Sequence, residues 1–226
     1  TAHCNVAFGA AALKVNSTGT QNVAVGYAAL DASNANNCTA IGYNAAGANT
    51  TGTLNTVVGS EAFATNTTGG YNTAVGQNAL NANTTASNNS AFGQSALAAN
   101  TAGDNTAVGR QALTANTTGT RNTAIGDIAA GAVTTGTDVT AVGWRALTAN
   151  TGSENTAVGS RCLDANTTGT RNTAMGDLAA TENTTSNDVT AIGWNALRYS
   201  TGNSNTAVGS RSQDATTTGE ENTSVG

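Results

Sequence analysis

A glycine closes the motif Asn-Thr-Ala-Val-Gly, and it returns every 16 or 17 residues along the whole 226-residue chain. The corner glycines are Gly9, Gly26, Gly42, Gly59, Gly76, Gly93, Gly109, Gly126, Gly143, Gly159, Gly176, Gly193, Gly209 and Gly226. No unique stretch separates them, so whatever one repeat forms, the chain is a stack of it. From Gly59 onward the spacings run 17, 17 and 16, a superperiod of 50 residues. Residues 110–159 therefore overlay 160–209, with "TRNTAIGDIAA" on "TRNTAMGDLAA" and "DVTAVGW" on "DVTAIGW".

Numbered from its asparagine, the repeat has NTAVG at positions 1 to 5, xxALxA at 6 to 11 and NTTGxx at 12 to 17. The shorter copies lose a residue at one place, where "ANTTGTRNTA" becomes "ANTGSENTA". A paired strand cannot lose one residue without reversing its side chains, whereas a turn can. NTTG is therefore turn and NTAVG strand. A 17-residue unit is too short for a helix pair, and Asn, Gly, Thr and Val are poor helix formers. The pattern predicts an all-β fold, a parallel β-solenoid of about 14 coils stacked roughly 4.8 Å apart. Residues 1–226 would form one repetitive solenoid some 65 Å long, a segment of a longer fibre, because neither end carries a polar cap. Asparagine ladders are expected at positions 1 and 12 and a threonine ladder at position 2. The invariant glycine implies a positive φ or a close backbone approach.

Position 4 is large and apolar in every copy, and Val6 and Val23 replace threonine at position 2. Alternation then predicts that positions 2 and 4 face inward and position 3 outward. Position 3 is alanine in twelve of fourteen copies, where a solvated position would drift to polar residues. All 21 charged side chains lie outside positions 1 to 5, and a strand without charge on either face suggests burial on both. The stripe Ala24, Ala40, Ala74, Ala107, Ala124, Ala141, Ala157, Ala174, Ala191 and Ala207 is thus expected to pack outward against another protomer. The opposite reading puts it in the core of a monomeric rod. In the copies reading "DIAAG" and "DLAAT", Ile128 and Leu178 at position 7 are expected to supply the bulk that position 9 lacks.

Thirteen acidic and eight basic residues give a net charge of −5 and no basic patch, which argues against a nucleic-acid partner. No apolar run approaches the roughly 20 residues of a membrane helix, so membrane insertion is not expected. No signal peptide is visible, and a chain that starts at Thr1 suggests a processed or excerpted piece. Cys4, Cys38 and Cys162 have no metal-binding spacing and are expected to be small residues filling repeat positions, with a lateral disulfide as the alternative. His3 is the single histidine, which leaves a Ser/His or Cys/His pair nothing to work with. Asp127 and Asp177 lie three coils apart, about 14 Å. No catalytic site, metal or cofactor is expected.

Tyr27, Tyr43, Trp144 and Trp194 share position 6 and are candidate contacts for a ligand or a protomer. Arg145, Arg161 and Arg211 at position 7 look like a solvated edge. Asn-x-Ser/Thr sequons occur at Asn16, Asn37, Asn49, Asn66, Asn83, Asn88, Asn116, Asn166, Asn183 and Asn222. In a secreted eukaryotic protein, N-glycans there would coat the turn edge; otherwise Asn-Thr-Thr is simply good turn chemistry.

NTAVG and NTAIG followed by Ala-Leu resemble the head repeats of trimeric autotransporter adhesins and the repeats of phage and viral tail fibres. The resemblance implies a β-roll, self-association as a trimer, and an extracellular or virion-surface location. The unit here is longer than in those heads and adds the 50-residue superperiod. A second likeness, Ile-Gly-x-x-Ala, is to hexapeptide helices, some of them acyltransferases that rely on a histidine base. The expectation is a structural fibre shaft assembling with other protomers. An adhesin or receptor-binding fibre that recognises surface glycans is the alternative. An ice-binding protein using the threonine ladder is a lower one, opposed by the inward placement of position 2.

Overall fold

In the computed structural model, which describes residues 1–215 and 218–226, the protein is an all-β parallel solenoid. The chain forms two compact units, Thr1–Gln111 and Ala112–Gly226. In the first, seven three-residue strands follow one another, β1 (Val6–Phe8), β2 (Val23–Val25), β3 (Thr39–Ile41), β4 (Thr56–Val58), β5 (Thr73–Val75), β6 (Ser90–Phe92) and β7 (Thr106–Val108). Each pairs in parallel with the next, like residue beside like, as in Val23↔Thr39, Ala24↔Ala40 and Val25↔Ile41. The second unit repeats the plan with β8 (Thr123–Ile125), β9 (Thr140–Val142), β10 (Thr156–Val158), β11 (Thr173–Met175), β12 (Thr190–Ile192), β13 (Thr206–Val208) and β14 (Thr223–Val225). There Thr156↔Thr173, Ala157↔Ala174 and Val158↔Met175 set the register.

The side-chain direction is the reverse of the one expected. Ala24, Ala40, Ala74, Ala107, Ala124, Ala141, Ala157, Ala174, Ala191 and Ala207 are all 0% exposed in the single chain. The residues at position 4 are the outward ones: Ile41, Phe92, Ile125, Met175 and Ile192 are 37–44% exposed. The reason is the width of the coil. Opposite the strand lie the alanines and leucines of positions 8 and 9, among them Ala112, Leu113, Ala146 and Leu147, each 0% exposed. Between the two walls the strand side carries small side chains, alanine in most coils and valine at Val57, which is also 0% exposed. Where both walls lose their alanine, Ser212 and Ser224 hydrogen-bond each other at 2.9 Å, which shows that positions 8 and 3 face each other. Ile128 and Leu178 do not replace the missing leucine either. They are only half-buried at the edge, while Ala130 and Ala180 remain fully buried at position 9.

Glycine is required at position 5 on both counts anticipated. Gly9 has φ +129°, and a Cβ there would lie 2.6 Å from the carbonyl oxygen of Gly26 in the next coil. Forty non-glycine residues also have φ between 49° and 64°, at positions 7, 9 and 17 of each coil. Most turn their N–H along the stack to an adjacent coil. Position 7 donates to the coil before, as Arg161 does to the Trp144 carbonyl at 2.8 Å. Position 9 donates to the coil after, as Leu147 does to Cys162 at 3.0 Å, and position 17 again donates backward, as Glu154 does to Thr137 at 2.9 Å.

Candidate functional site

The asparagines of positions 1 and 12 are buried amides that close each coil and tie it to the next. The Nδ2 of Asn55 and of Asn66 both donate to the Gly69 carbonyl, at 2.9 and 3.1 Å. Asn155 and Asn166 repeat this on Gly169, at 2.7 and 3.1 Å. Position 1 then uses its Oδ1 to accept the backbone N–H one coil on, Asn55 from Asn72 at 2.9 Å and Asn172 from Val189 at 2.9 Å. The expected ladder therefore runs mainly through amide-to-backbone bridges; direct amide contacts occur at position 12, as from Asn66 Nδ2 to Asn49 Oδ1 at 2.8 Å, at position 1, from Asn222 Nδ2 to Asn205 Oδ1 at 3.1 Å, and between the two positions, as from Asn155 Nδ2 to Asn150 Oδ1 at 3.0 Å. In a shortened coil Asn150 reaches Gly152, two residues on, instead of a glycine three residues on. The deletion thus falls in the turn and spares the bond.

This arrangement removes most candidate glycosylation positions. Asn49, Asn66, Asn83, Asn116, Asn166 and Asn183 are at most 1% exposed, and a glycan on the amide nitrogen has no room in the folded coil. Asn16 and Asn222 are half-buried; Asn37 and Asn88, both at position 17, are exposed. Cys38 occupies position 1 and keeps half of the asparagine's role, its thiol donating to the Gly52 carbonyl at 3.2 Å. Burial pushes its pKa up, despite backbone hydrogen bonds from Asn55 and Leu54. Burial also pushes Cys162, an alanine substitute at position 8, to about 12, against a backbone hydrogen bond and with a smaller rise from Asp177. Both thiols are repeat-position substitutes, buried and out of reach of a lateral disulfide; Cys4 is exposed.

Three outward features remain. The first is the strand face. In the second unit, position 2 is threonine on all seven strands, standing beside Ile125, Val142, Val158, Met175, Ile192, Val208 and Val225 at position 4. These threonine hydroxyls have no protein hydrogen-bond partner among the described residues. The turn threonines differ: Thr117, Thr151 and Thr167 each donate to the threonine carbonyl of the next coil at 2.8–3.0 Å. The expected threonine ladder exists, but on the outside.

The second is the rim after the glycine corner. Tyr27 and Tyr43 stack in the first unit, centroids 5.5 Å apart and planes 11° apart. In the second unit Trp144 and Trp194 are 49% and 44% exposed, each with a guanidinium over its ring, Arg145 at 5.7 Å and Arg211 at 4.7 Å. Arg145 and Arg161 converge on the Asp164 carboxylate, at 3.6 and 3.2 Å.

The third is a charge ladder at position 17. Arg121 holds Asp138 through two bonds of 2.7 and 2.8 Å, and fifty residues later Arg171 holds Asp188 identically. The guanidinium beside each holds Asp138 and Asp188 below the usual carboxylate value. The same hydrogen bond, donated to Asp188, raises Arg171. The surface candidates lie on exposed rims and faces, and no pocket opens among the described residues. No family model, curated protein or solved structure matches the chain.

Proposed function

We propose that the chain is a structural element, a stiff shaft segment of an extracellular or virion-surface fibre. The observation that supports this reading is the recurrence of buried amide bridges, interrupted at Cys38, Val139 and Val189, which fasten most coils to the next by side chains as well as backbone. A stack fastened this way resists local opening at any one repeat, which suits a mechanical spacer. The protomer contact expected through the alanine stripe is no part of the proposal, since those methyl groups belong to the core. Immunogold labelling of the source material with antibody raised against this chain tests it. Label along surface filaments is expected; label confined to the cell interior overturns it.

An adhesive role is the second reading, supported by Trp144 and Trp194 standing half-exposed beside arginines on one rim. Exposed indoles stack on sugar rings, and guanidinium groups hydrogen-bond their hydroxyls. A glycan array probed with the intact chain should show binding that Trp144→Ala with Trp194→Ala abolishes. Binding unchanged in that variant removes the rim from consideration.

A further inference from the structure

The outward strand face of the second unit has no role in the shaft. Its seven threonine hydroxyls lack protein partners, its position 4 side chains are only partly covered, and no charge stands on it. Beneath it the alanines of position 3 are fully buried and the strands are locked in register. The result is a fixed two-column array of hydroxyl and methyl groups. It repeats about every 4.8 Å along the stack and about 7 Å across the strand.

From this we infer that the face binds ice. Identical groups at identical intervals give no advantage against an irregular partner, which can match only a few of them. They do against a partner that is itself periodic. Two such partners exist for an uncharged array, a second copy of the same sheet and a water lattice. Three residues on seven strands present only about 330 Å², well below the roughly 800 Å² per partner of a stable protein interface. Face-to-face pairing would also take every free hydroxyl out of water. Water suffers neither objection. The methyl columns order a first shell around themselves, and the hydroxyls, each a donor and a double acceptor, fix that shell at the strand spacing. Rigidity contributes as well, because an array held by the backbone loses little freedom when the lattice forms on it. The first unit is less suited, since Val6, Val23 and Ser90 break its threonine column.

Thermal hysteresis of the intact chain, with its uptake into a growing ice hemisphere, tests the inference, circular dichroism confirming the fold of each variant. Hysteresis and uptake are expected for the unaltered chain, to be abolished by Thr156→Lys with Thr173→Lys. Thr185→Lys, on an exposed turn, should leave both unchanged. Replacing Thr140, Thr156 and Thr173 by valine should lower hysteresis severalfold, and the fold should tolerate it because Val6 and Val23 already occupy this position. Exclusion of the unaltered folded chain from ice overturns the proposal, as does full activity of the double lysine variant. Unchanged hysteresis in the valine variant overturns the role given to the hydroxyls. A dimer by sedimentation that the lysine substitutions dissociate assigns the face to a second copy instead.

Discussion

At the scale of single residues the solenoid inverts a familiar preference. Ordinary strands turn their large aliphatics to the core, whereas on these strands alanine goes in and valine, isoleucine and phenylalanine go out, and the large buried residues, such as Phe63, Leu113 and Leu147, stand on the opposite wall. Enlarging the inner residue should therefore be costly. Ala107→Leu is expected to destabilise the protein by about 2–3 kcal/mol through overpacking, measured by chemical denaturation. An effect near zero would return Ala107 to the surface. The sequence showed that position 3 is restricted to small side chains, but not which wall restricts it. Bulk at position 4 and the valines Val6 and Val23 pointed inward by the usual rule, and only the closeness of the Ala-Leu wall decides otherwise. The left-handed residues were also hidden. Leu113, Arg121 and Gln111 adopt φ of 50–57° with none of the Gly or Asn preference that normally reveals it. The N–H bonds of Gln111 and Leu113 to adjacent coils, at 2.9 and 3.0 Å, offset the strain, and a bond between coils leaves no local signature.

Elements here are coils more than strands, since each strand has three residues and the turns hold the buried amides. Asn172 is the joint between two coils: its Nδ2 donates to the Ser186 carbonyl at 2.8 Å and its Oδ1 accepts from Val189 N–H at 2.9 Å. Asn172→Ala leaves both buried groups unpaired and should cost about 2–4 kcal/mol, with faster amide exchange at Val189 as the local readout. The strand, the deletable turn and the asparagine positions were legible because each follows from spacing and composition alone. The amide bridges were not, because they join residues that meet only when the coil closes. The ion pairs at position 17 add a pH dependence. Their carboxylates titrate below the unfolded value of about 3.9, so the pairs stabilise the fold above that pH. That stabilisation disappears as pH falls through the lowered values. Melting curves of the unaltered protein and Asp188→Asn should differ at neutral pH and converge in acid. A gap that persists at low pH would mean that Asp188 contributes something other than charge.

For the whole molecule, the superperiod makes fifty residues the natural module. Removing residues 160–209 joins Gly159 to Ser210, so position 5 is followed by position 6 and the repeat frame is intact. That chain should keep its β spectrum and melt within about 5 °C of the original, because each coil interacts with its neighbours only. Removing residues 160–184 breaks the frame inside a coil and should lower the midpoint much further. Equal midpoints would show that the coils are not the cooperative unit. The repeat frame, the parallel order and the coil length were all readable from the glycine spacing, since stacking is imposed on every copy alike.

The closed asparagine turns also constrain where such a chain can be made. In a compartment that glycosylates Asn-x-Thr as polypeptide emerges, the transferase meets Asn66 and Asn166 before any coil has closed over them. A sugar placed then would wedge the coil open at the joint that fastens it to its neighbour, and would do so at six separate turns. On such a route the same tripeptide that builds the turn would become a cause of misfolding.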